Sequence, residues 1–444
     1  MPRGSSFSRS LATAFLSGRW TLGELEQLGS LVLDLRRPRK WFSKLVRHVI
    51  ESHAIAPSWR TLVDFLEAIR NDQISDFEDY LENLPTPSIL RLPRPEMLPA
   101  VGLPLSISVP QLVTVGDLAD WLGVSPSELD WFSDQNRRHD PPGTGPLLHY
   151  RYRLLRKNSG GVRLLEIPKP RLKQIQRQIL HEILDSIVPH SAAHAYRSGR
   201  SVATYVAPHA GKQVLLHVDL REFFPSVRAA RIHALLRTVG YPDQVARHLT
   251  ALCTHCTRAE AFSTGEGEGV APLARKLYLQ RHLPQGAPTS PALANLCAWR
   301  LDVRLSALAQ RFDASYTRYA DDLLFSGGAE LQRGMQRFRI LVLTIALDEG
   351  FSIRTRKTRV LLESQSQQVA GVVLNAHPNL PRDEFDQLKA LLFNCVRHGP
   401  ASQNRDQRDN FAQHLQGRIS YWAMINPQRA AKLQALFERI DWSP

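Results

Sequence analysis

Cysteine is scarce in this chain, with 4 in 444 residues. That is too few for a disulfide scaffold, so a reducing, cytoplasmic setting is expected. Long apolar runs are missing as well. None reaches the roughly 20 residues of a membrane-spanning helix, which argues against a membrane protein. Acids are in deficit: 42 Asp and Glu face 56 Lys and Arg, a net charge of +14. An excess of that size points to a polyanionic partner, nucleic acid ahead of a membrane surface. No acid precedes Glu24, while Arg3, Arg9 and Arg19 do. Such a start faintly resembles a transit peptide, but its apolar part from Leu11 to Leu16 is short, so it reads as a basic N-terminus. Cys253 and Cys256 have C-x-x-C spacing around His255. Zinc would need a further ligand such as His282 or Cys297, and no second C-x-x-C or H-x₃₋₅-H occurs, so structural thiols are the better reading.

What is present centres on Tyr319-Ala320-Asp321-Asp322. The alternating run Ser315-Tyr316-Thr317-Arg318 precedes it and the apolar Leu323-Leu324-Phe325 follows, which predicts a β-hairpin with the two acids at its tip. Adjacent carboxylates at a tight turn repel each other unless a cation lies between them, and few, hard oxygen ligands suit Mg²⁺. A second acid stands out. Val214-Leu215-Leu216-His217-Val218 reads as a buried central strand and delivers Asp219, whose desolvation must be offset by something. Asp219 beside Asp321 and Asp322 completes a three-carboxylate site for two metal ions about 4 Å apart.

The remainder of the chain has room for two or three domains. Residues 1–84 read as helices, with capping-box spacing at Thr21-Leu22-Gly23-Glu24 and at Ser75-Asp76-Phe77-Glu78. Trp41, Phe42, Leu45, Val46, Val49 and Ile50 share one helical face, and Lys40, Lys44 and Arg47 another. Such a basic face either touches nucleic acid or a partner, or stays solvated over a packed helix. Seven prolines in the 26 residues from Pro85 to Pro110 predict an extended linker and a domain boundary. Residues 114–132 form a helical pair, with Ser125-Pro126-Ser127-Glu128 as a cap. The second helix lacks the Arg, Asn or Gln that base edges require, so it reads as a docking hairpin rather than a DNA reader. Residues 149–178 carry nine Lys or Arg and one acid, Glu166. Gly160-Gly161 makes a turn there, and Arg163 and Lys169 lie in a hairpin able to fold over a triphosphate. Pro170 opens a helix with Leu172, Ile175, Ile179, Leu180, Ile183 and Leu184 on one face. The stretch Leu283-Pro284-Gln285-Gly286-Ala287-Pro288-Thr289-Ser290-Pro291 follows a Gly-rich loop at 264–269. Gly286 permits close backbone approach to a nucleotide, and Ser290-Pro291 starts a helix to about Phe312. An amphipathic helix over 329–349 is stopped by Gly350. Lys357 lies in a strand-like segment, in reach of a leaving pyrophosphate, and a second hairpin follows at about 360–375. The final 64 residues read as helices.

In order, these pieces resemble the reverse transcriptase family, with Asp219 and its Phe-Phe, Leu283 to Pro291, Tyr319 to Asp322, and Lys357 matching four successive polymerase motifs. The wording from Asp219 to Ser226, from Leu283 to Pro291 and from Tyr316 to Asp322 is most similar to bacterial retron reverse transcriptases, over roughly residues 114–444. The family's N-A-x-x-H is reduced to His209, and its V-T-G reads Val369-Ala370-Gly371. The resemblance implies an α+β right-hand polymerase: fingers and palm over 111–378, the palm with an antiparallel sheet, and a helical thumb over 379–444. An all-helical extension (1–84) and a Pro-rich linker (85–110) precede them. It implies Asp219, Asp321 and Asp322 as catalytic residues holding two Mg²⁺, with Mn²⁺ as a substitute. Arg163, Lys169, Phe224, Gln285, Gly286 and Lys357 would bind dNTP, and His209, Val369 and Gly371 would bind RNA. Implied partners are a structured non-coding RNA as template and primer, its RNA–DNA hybrid product, dNTPs and an effector protein in phage defence. Three alternatives stay open. They are a group II intron-like or defence-associated reverse transcriptase with another template, an RNA-templated RNA polymerase, and an RNA-binding scaffold with an inactive polymerase fold.

Overall fold

The computed structural model describes residues 3–33, 35–71, 96–100, 108–134, 149–156, 161–262, 267 and 269–442. The chain separates into two compact units, Met1–Val188 with Phe224–Leu293, and Pro189–Phe223 with Ala294–Pro444.

The first unit begins with four helices, Arg3–Ser17, Leu22–Val32, Lys40–Ser52 and Trp59–Asn71. Leu11, Phe15, Leu25, Phe42, Val46 and Leu62 are all buried in their common core. The expected box at Thr21 does not form: Thr21 caps the second helix without a side-chain hydrogen bond. The box at Ser75 to Glu78 lies outside the described residues, as does most of the proline-rich segment. Its residues 96–100 are described, and they do not run free. Leu98 and Ala100 donate their N–H groups to Gly240 (3.0 Å) and Thr238 (2.9 Å), so this stretch is laid along the end of the helix Ala229–Val239. The helical extension also docks on the chain just beyond the proline-rich segment. Gly116 donates to the Ala56 carbonyl at 2.9 Å, and a Cβ on Gly116 would lie 2.5 Å from the Ser58 nitrogen, so only glycine fits.

The helical pair is Val115–Leu122 and Pro126–Ser133, and both start with a complete capping box: Ser125 with Glu128, and, unforeseen, Thr114 with Asp117. Arg281 donates to the Ser133 carbonyl at the second helix's end, in keeping with a docking role. Strands β1 (Tyr150–Arg156) and β2 (Val162–Pro168) form the basic hairpin. Gly160 lies outside the described residues, and so do 264–266 and 268 of the Gly-rich loop. The helix opened by Pro170 closes at Glu182, so Ile183 and Leu184 fall in the turn beyond it.

The second unit is built on a five-stranded antiparallel sheet of β3 (Val214–Arg221), β4 (Ala314–Tyr319), β5 (Asp322–Gly327), β6 (Ser352–Ile353) and β7 (Arg359–Leu362). β3 is central, as its apolar run requires: β5 pairs along one side, β6 and β7 along the other. The hairpin expected over 360–375 is shorter. β7 joins β3 instead, and only β8 (Gln368–Val369) and β9 (Val372–Val373) form the hairpin. The helix expected from Ser290 to Phe312 is two, Ser290–Cys297 and Trp299–Arg311, parted at Ala298. The helix Ala329–Asp348 ends as predicted before Gly350, whose φ is +77°. Leu388, Leu392, Leu415 and Trp422 of the C-terminal helices share one core with Leu215, Leu324, Val369 and Val372. The terminal helices therefore pack directly on the sheet and hairpin.

Two histidines, the buried His209 and the half-buried His255, are held here in the neutral form. His209 in the second unit bridges β4 and β5: one ring nitrogen lies 2.7 Å from Ser326 Oγ, the other 2.8 Å from Thr317 Oγ1. His255 in the first unit bonds Tyr152 through Nε2 at 2.8 Å. Burial pushes each ring down to about 3, for His255 against the pull of Glu166. Unfolded, each takes up a proton near its ordinary 6.5, so their contribution is complete above that pH. It is lost as pH falls toward 3, at up to ~1.4 kcal/mol per pH unit per ring. The melting temperature should therefore drop on acidification below pH about 6.5, above the carboxylate range. A His209→Gln, His255→Gln chain, though less stable, should show a visibly flatter decline in that window. An equal slope in both chains would assign the decline to other groups.

Candidate active site

Strand register assembles the acids. In the β3–β5 pair Asp219 stands opposite Asp322, and in the β4–β5 pair Tyr319 does. Ala320 and Asp321 are thus the two-residue hairpin turn. Ala320 adopts a left-handed φ of +57°, the geometry such tight turns need. The Leu220 N–H donates to the Asp321 carbonyl at 2.9 Å, tying the turn to β3. Asp219 is 4 % exposed. Lys357 Nζ lies 3.1 Å from its Oδ2 and Arg354 Nε 3.4 Å from its Oδ1. Oδ1 is buried and makes no hydrogen bond, the Arg354 approach being only a long ion pair. His217 Nε2 lies 2.9 Å from Asp322 Oδ1.

Among the described residues no group of three or more His, Cys, Asp or Glu is arranged to hold a metal ion. The chemistry of the donors nevertheless fits a hard cation. They are carboxylates only, and one buried oxygen lacks a hydrogen bond. Lys357 and Arg354 supply the compensating positive charge on Asp219 in this arrangement. Lys357 sits in the 3-10 turn Thr355–Lys357 rather than in a strand, and its ammonium is on Asp219.

A buried ion pair that sequence reading missed holds the hairpin. Arg318, 0 % exposed, grips Asp302 with Nε on Oδ1 at 2.8 Å and Nη2 on Oδ2 at 2.7 Å. Its Nη1 donates to Asn295 Oδ1 at 2.9 Å and to the Ala320 carbonyl, in the turn itself, at 3.2 Å. Tyr316 OH completes the shell on Asp302 at 2.8 Å. The available signal was an arginine at an inward position of the acid-bearing strand.

The first unit holds the second missed cluster. Glu166 is wholly buried, with His282 Nε2 at 2.9 Å and Thr257 Oγ1 at 2.5 Å on its two oxygens. Burial pushes its carboxyl up, but His282 and Thr257 outweigh that and leave it below the ordinary range. His282 is thus a carboxylate partner and not a zinc ligand. Burial drives the Cys253 thiol up to about 12, as an inert structural thiol requires. The Glu166 N–H donates to the Gln285 carbonyl at 2.9 Å. Gly286 has φ +135°, and a Cβ there would lie 2.8 Å from the Glu166 carbonyl. The close approach foreseen for Gly286 is therefore made to β2 of the same chain.

The other expected residues divide between the units. Arg163 is exposed on β2, while Lys169 and Phe224 are half-buried. These three belong with Gln285 and Gly286 to the first unit, and Lys357 belongs with the acids to the second. Two RNA candidates need correction. His209 is 0 % exposed with both ring nitrogens engaged, and Val369 lies in the core. Neither presents a surface to RNA. Gly371 is exposed at the β8–β9 turn, where a Cβ would meet nothing within 4 Å. Its φ of +81° explains the glycine, not crowding.

Residues 155–374 match the family model for reverse transcriptase (RNA-dependent DNA polymerase). The chain is 38% identical over 341 residues to the retron Mx65 reverse transcriptase of Myxococcus xanthus, covering 76% of this chain and 74% of that protein. It is 34% identical over 338 residues to the retron Mx162 enzyme of the same organism, covering 73% and 66%. To the retron Ec86 enzyme of Escherichia coli it is 25% identical over 297 residues, covering 66% and 82%. A mixed helix-and-sheet fold with this match defines an RNA-directed DNA polymerase. Within that class the chain belongs to the retron reverse transcriptases.

Removing one partner of a buried pair strands the other charge, at a cost of about 3–5 kcal/mol. Asp302→Ala should therefore lose stability of that order in denaturant titration. Arg318→Lys keeps the charge but not the fork, so it should fold while kcat for primer extension falls by about 10²-fold through displacement of the turn. An Arg318→Lys enzyme with wild-type kcat would separate the pair from the acids' placement.

Proposed function

We propose that Asp219, Asp321 and Asp322 are the catalytic carboxylates and metal ligands of RNA-templated DNA synthesis. The observation that carries this is the register: Asp219 opposite Asp322, with Asp321 on the adjoining turn. The second unit's sheet is then the palm, its terminal helices the thumb, and the β1–β2 hairpin part of the fingers. When bound, two Mg²⁺ ions, or Mn²⁺ in their place, would neutralise phosphate charge and make the attacking hydroxyl a better nucleophile. Asp219, Asp321 and Asp322 would hold those ions, and the reaction they would serve is in-line attack of the primer hydroxyl on the α-phosphate. The new O–P bond forms as the bond to pyrophosphate breaks. Lys357 leaves Asp219 Oδ2 to donate to the departing pyrophosphate. Arg163 and Lys169 take the triphosphate, Gln285 and Gly286 form the floor beneath the incoming nucleotide, and Phe224 closes the space a 2′-hydroxyl would need.

The template is a structured non-coding RNA, and an internal 2′-hydroxyl of that RNA is the primer. The product is a branched RNA–DNA molecule used with an effector in phage defence. Family membership supports this reading. The exposed Gly371 turn and the terminal helices around Arg397 and Arg418 are the part of the second unit that would meet the RNA, which proteins read largely by shape, 2′-hydroxyls and phosphates. Sequencing the nucleic acid that co-purifies with the protein tests it: one RNA joined to its own complementary DNA is expected, and a random population would reject the assignment.

Two substitutions test the chemistry. Asp321→Asn or Asp219→Asn preserves volume but removes a ligand worth several kcal/mol in the transition state. Extension of a primed template should fall by on the order of 10³ or more with RNA binding kept. Substantial extension by either variant would break the three-carboxylate assignment. Phe224→Ala should admit ribonucleotides at least about tenfold better, because discrimination here works by repulsion. An unchanged dNTP-to-rNTP ratio in single-nucleotide incorporation would place the gate at another residue.

A further inference from the structure

The most concentrated charge described in the chain involves none of the residues assigned a role above. Arg36, Arg37, Arg39, Lys40, Lys44 and Arg47 are all exposed. No acid occurs from Leu35 to Ile50, so six like charges fall within twelve residues. A block of like charge of that density suits a polyanionic partner. Their presentation is fixed by the fold. Lys40, Lys44 and Arg47 recur at i, i+4 and i+7 on the helix Lys40–Ser52 and so form one stripe, about 10 Å long at 1.5 Å per residue. Arg36, Arg37 and Arg39 extend it along the segment that enters the helix. The opposite face is spent: Phe42, Leu45, Val46 and Val49 are buried in the core of the four-helix group. The helix therefore cannot roll over to insert apolar side chains into a bilayer, as an interfacial membrane helix must. What remains is a rigid, arginine-rich strip suited to phosphate oxygens, four of its six cations having the bidentate fork.

We infer that this strip is an RNA-backbone-binding surface, through which the N-terminal helices grip the phosphates of the template RNA. It deepens the proposed function and rests on its template being RNA. Phosphate contacts position a nucleic acid without reading its bases. The strip therefore adds affinity and strong salt dependence, and leaves nucleotide choice to the polymerase.

The test measures binding of a stem-loop RNA of about 16 base pairs to the full chain across a salt series. The variants are R36E/R37E/R39E, the neutral R36Q/R37Q/R39Q/K40Q/K44Q/R47Q, and the charge-keeping R36K/R37K/R39K. The first two should weaken binding at least tenfold at low salt. They should also reduce the slope of log K on log salt, by about 2–3 for the triple variant and about 4–5 for the sixfold one, since each lost phosphate contact removes about 0.7–0.9. The lysine variant should retain most of both. Melting temperatures measured beside each titration separate a folding defect from lost contacts, and the neutral variant serves if charge reversal perturbs folding. Extension of a saturating primed template should be unchanged. Unaltered RNA affinity and slope overturn the inference, including the case in which only binding to phosphatidylserine-containing vesicles is lost. If wild type cannot extend a primer on RNA yet the variants lose RNA affinity, the proposed function falls and the surface stands.

Discussion

The Arg318–Asp302 pair is the constraint on which the acid-bearing hairpin depends. Two adjacent carboxylates on a tight turn repel each other, and the turn contains a non-glycine residue, Ala320, with positive φ. Left alone, such a turn would relax outward. Arg318 prevents that from inside: one guanidinium is pinned bidentately by Asp302 and donates to the Ala320 carbonyl in the turn itself. Both members of the pair are fully buried. The low dielectric around them strengthens the fork and makes any partial break expensive. Backbone bonds add to it, since Arg318 donates to Ala192 at 2.7 Å and accepts from His194 at 2.8 Å. The acids are thus presented by a strand braced on two edges and clamped at its centre.

The first unit uses the same device on its own glycine turn. A buried carboxylate, Glu166, is satisfied by His282 and Thr257. Its backbone in turn takes the Gln285 carbonyl, with Gly286 lying against it. In both units a buried charge with complete hydrogen bonding sits directly behind the residues proposed to meet substrate. Burial makes each network rigid, because the alternative is an unpaired charge in an apolar surround. His209 belongs to this logic. Its two ring bonds cross-link β4 and β5 from below, so the histidine that stands in for an RNA motif acts as a strut in the described arrangement.

The reading of local pattern went far. The Tyr319–Asp322 hairpin, the central apolar strand, the Pro170 helix, the Ser125 cap and the Gly350 stop were all legible, because each depends on residues within a few positions of one another. Readings that needed a distant partner went astray. Thr21 has the right spacing for a capping box but makes no side-chain bond. The β7 segment looked like half of a hairpin and instead completes the sheet on β3, which no local pattern reveals. For Gly371 and Gly286 the fold also gives its own reason for glycine, the backbone angle of the first and a β2 carbonyl against the second.

By itself, the sequence determined the class of chemistry and the net charge. Both follow from residue identity and short spacing: adjacent carboxylates after a strand, a glycine turn before a helix, and 14 more cations than anions. Only the tertiary structure decided which charges are buried and what satisfies them. Arg318, Glu166 and His209 look like ordinary polar residues in one dimension. Their roles arise because Asp302, His282, Ser326 and Thr317 lie 16, 116, 117 and 108 residues away along the chain and yet within a hydrogen bond in space. Desolvation couples such groups only after the chain has closed around them, so no local pattern carries that information.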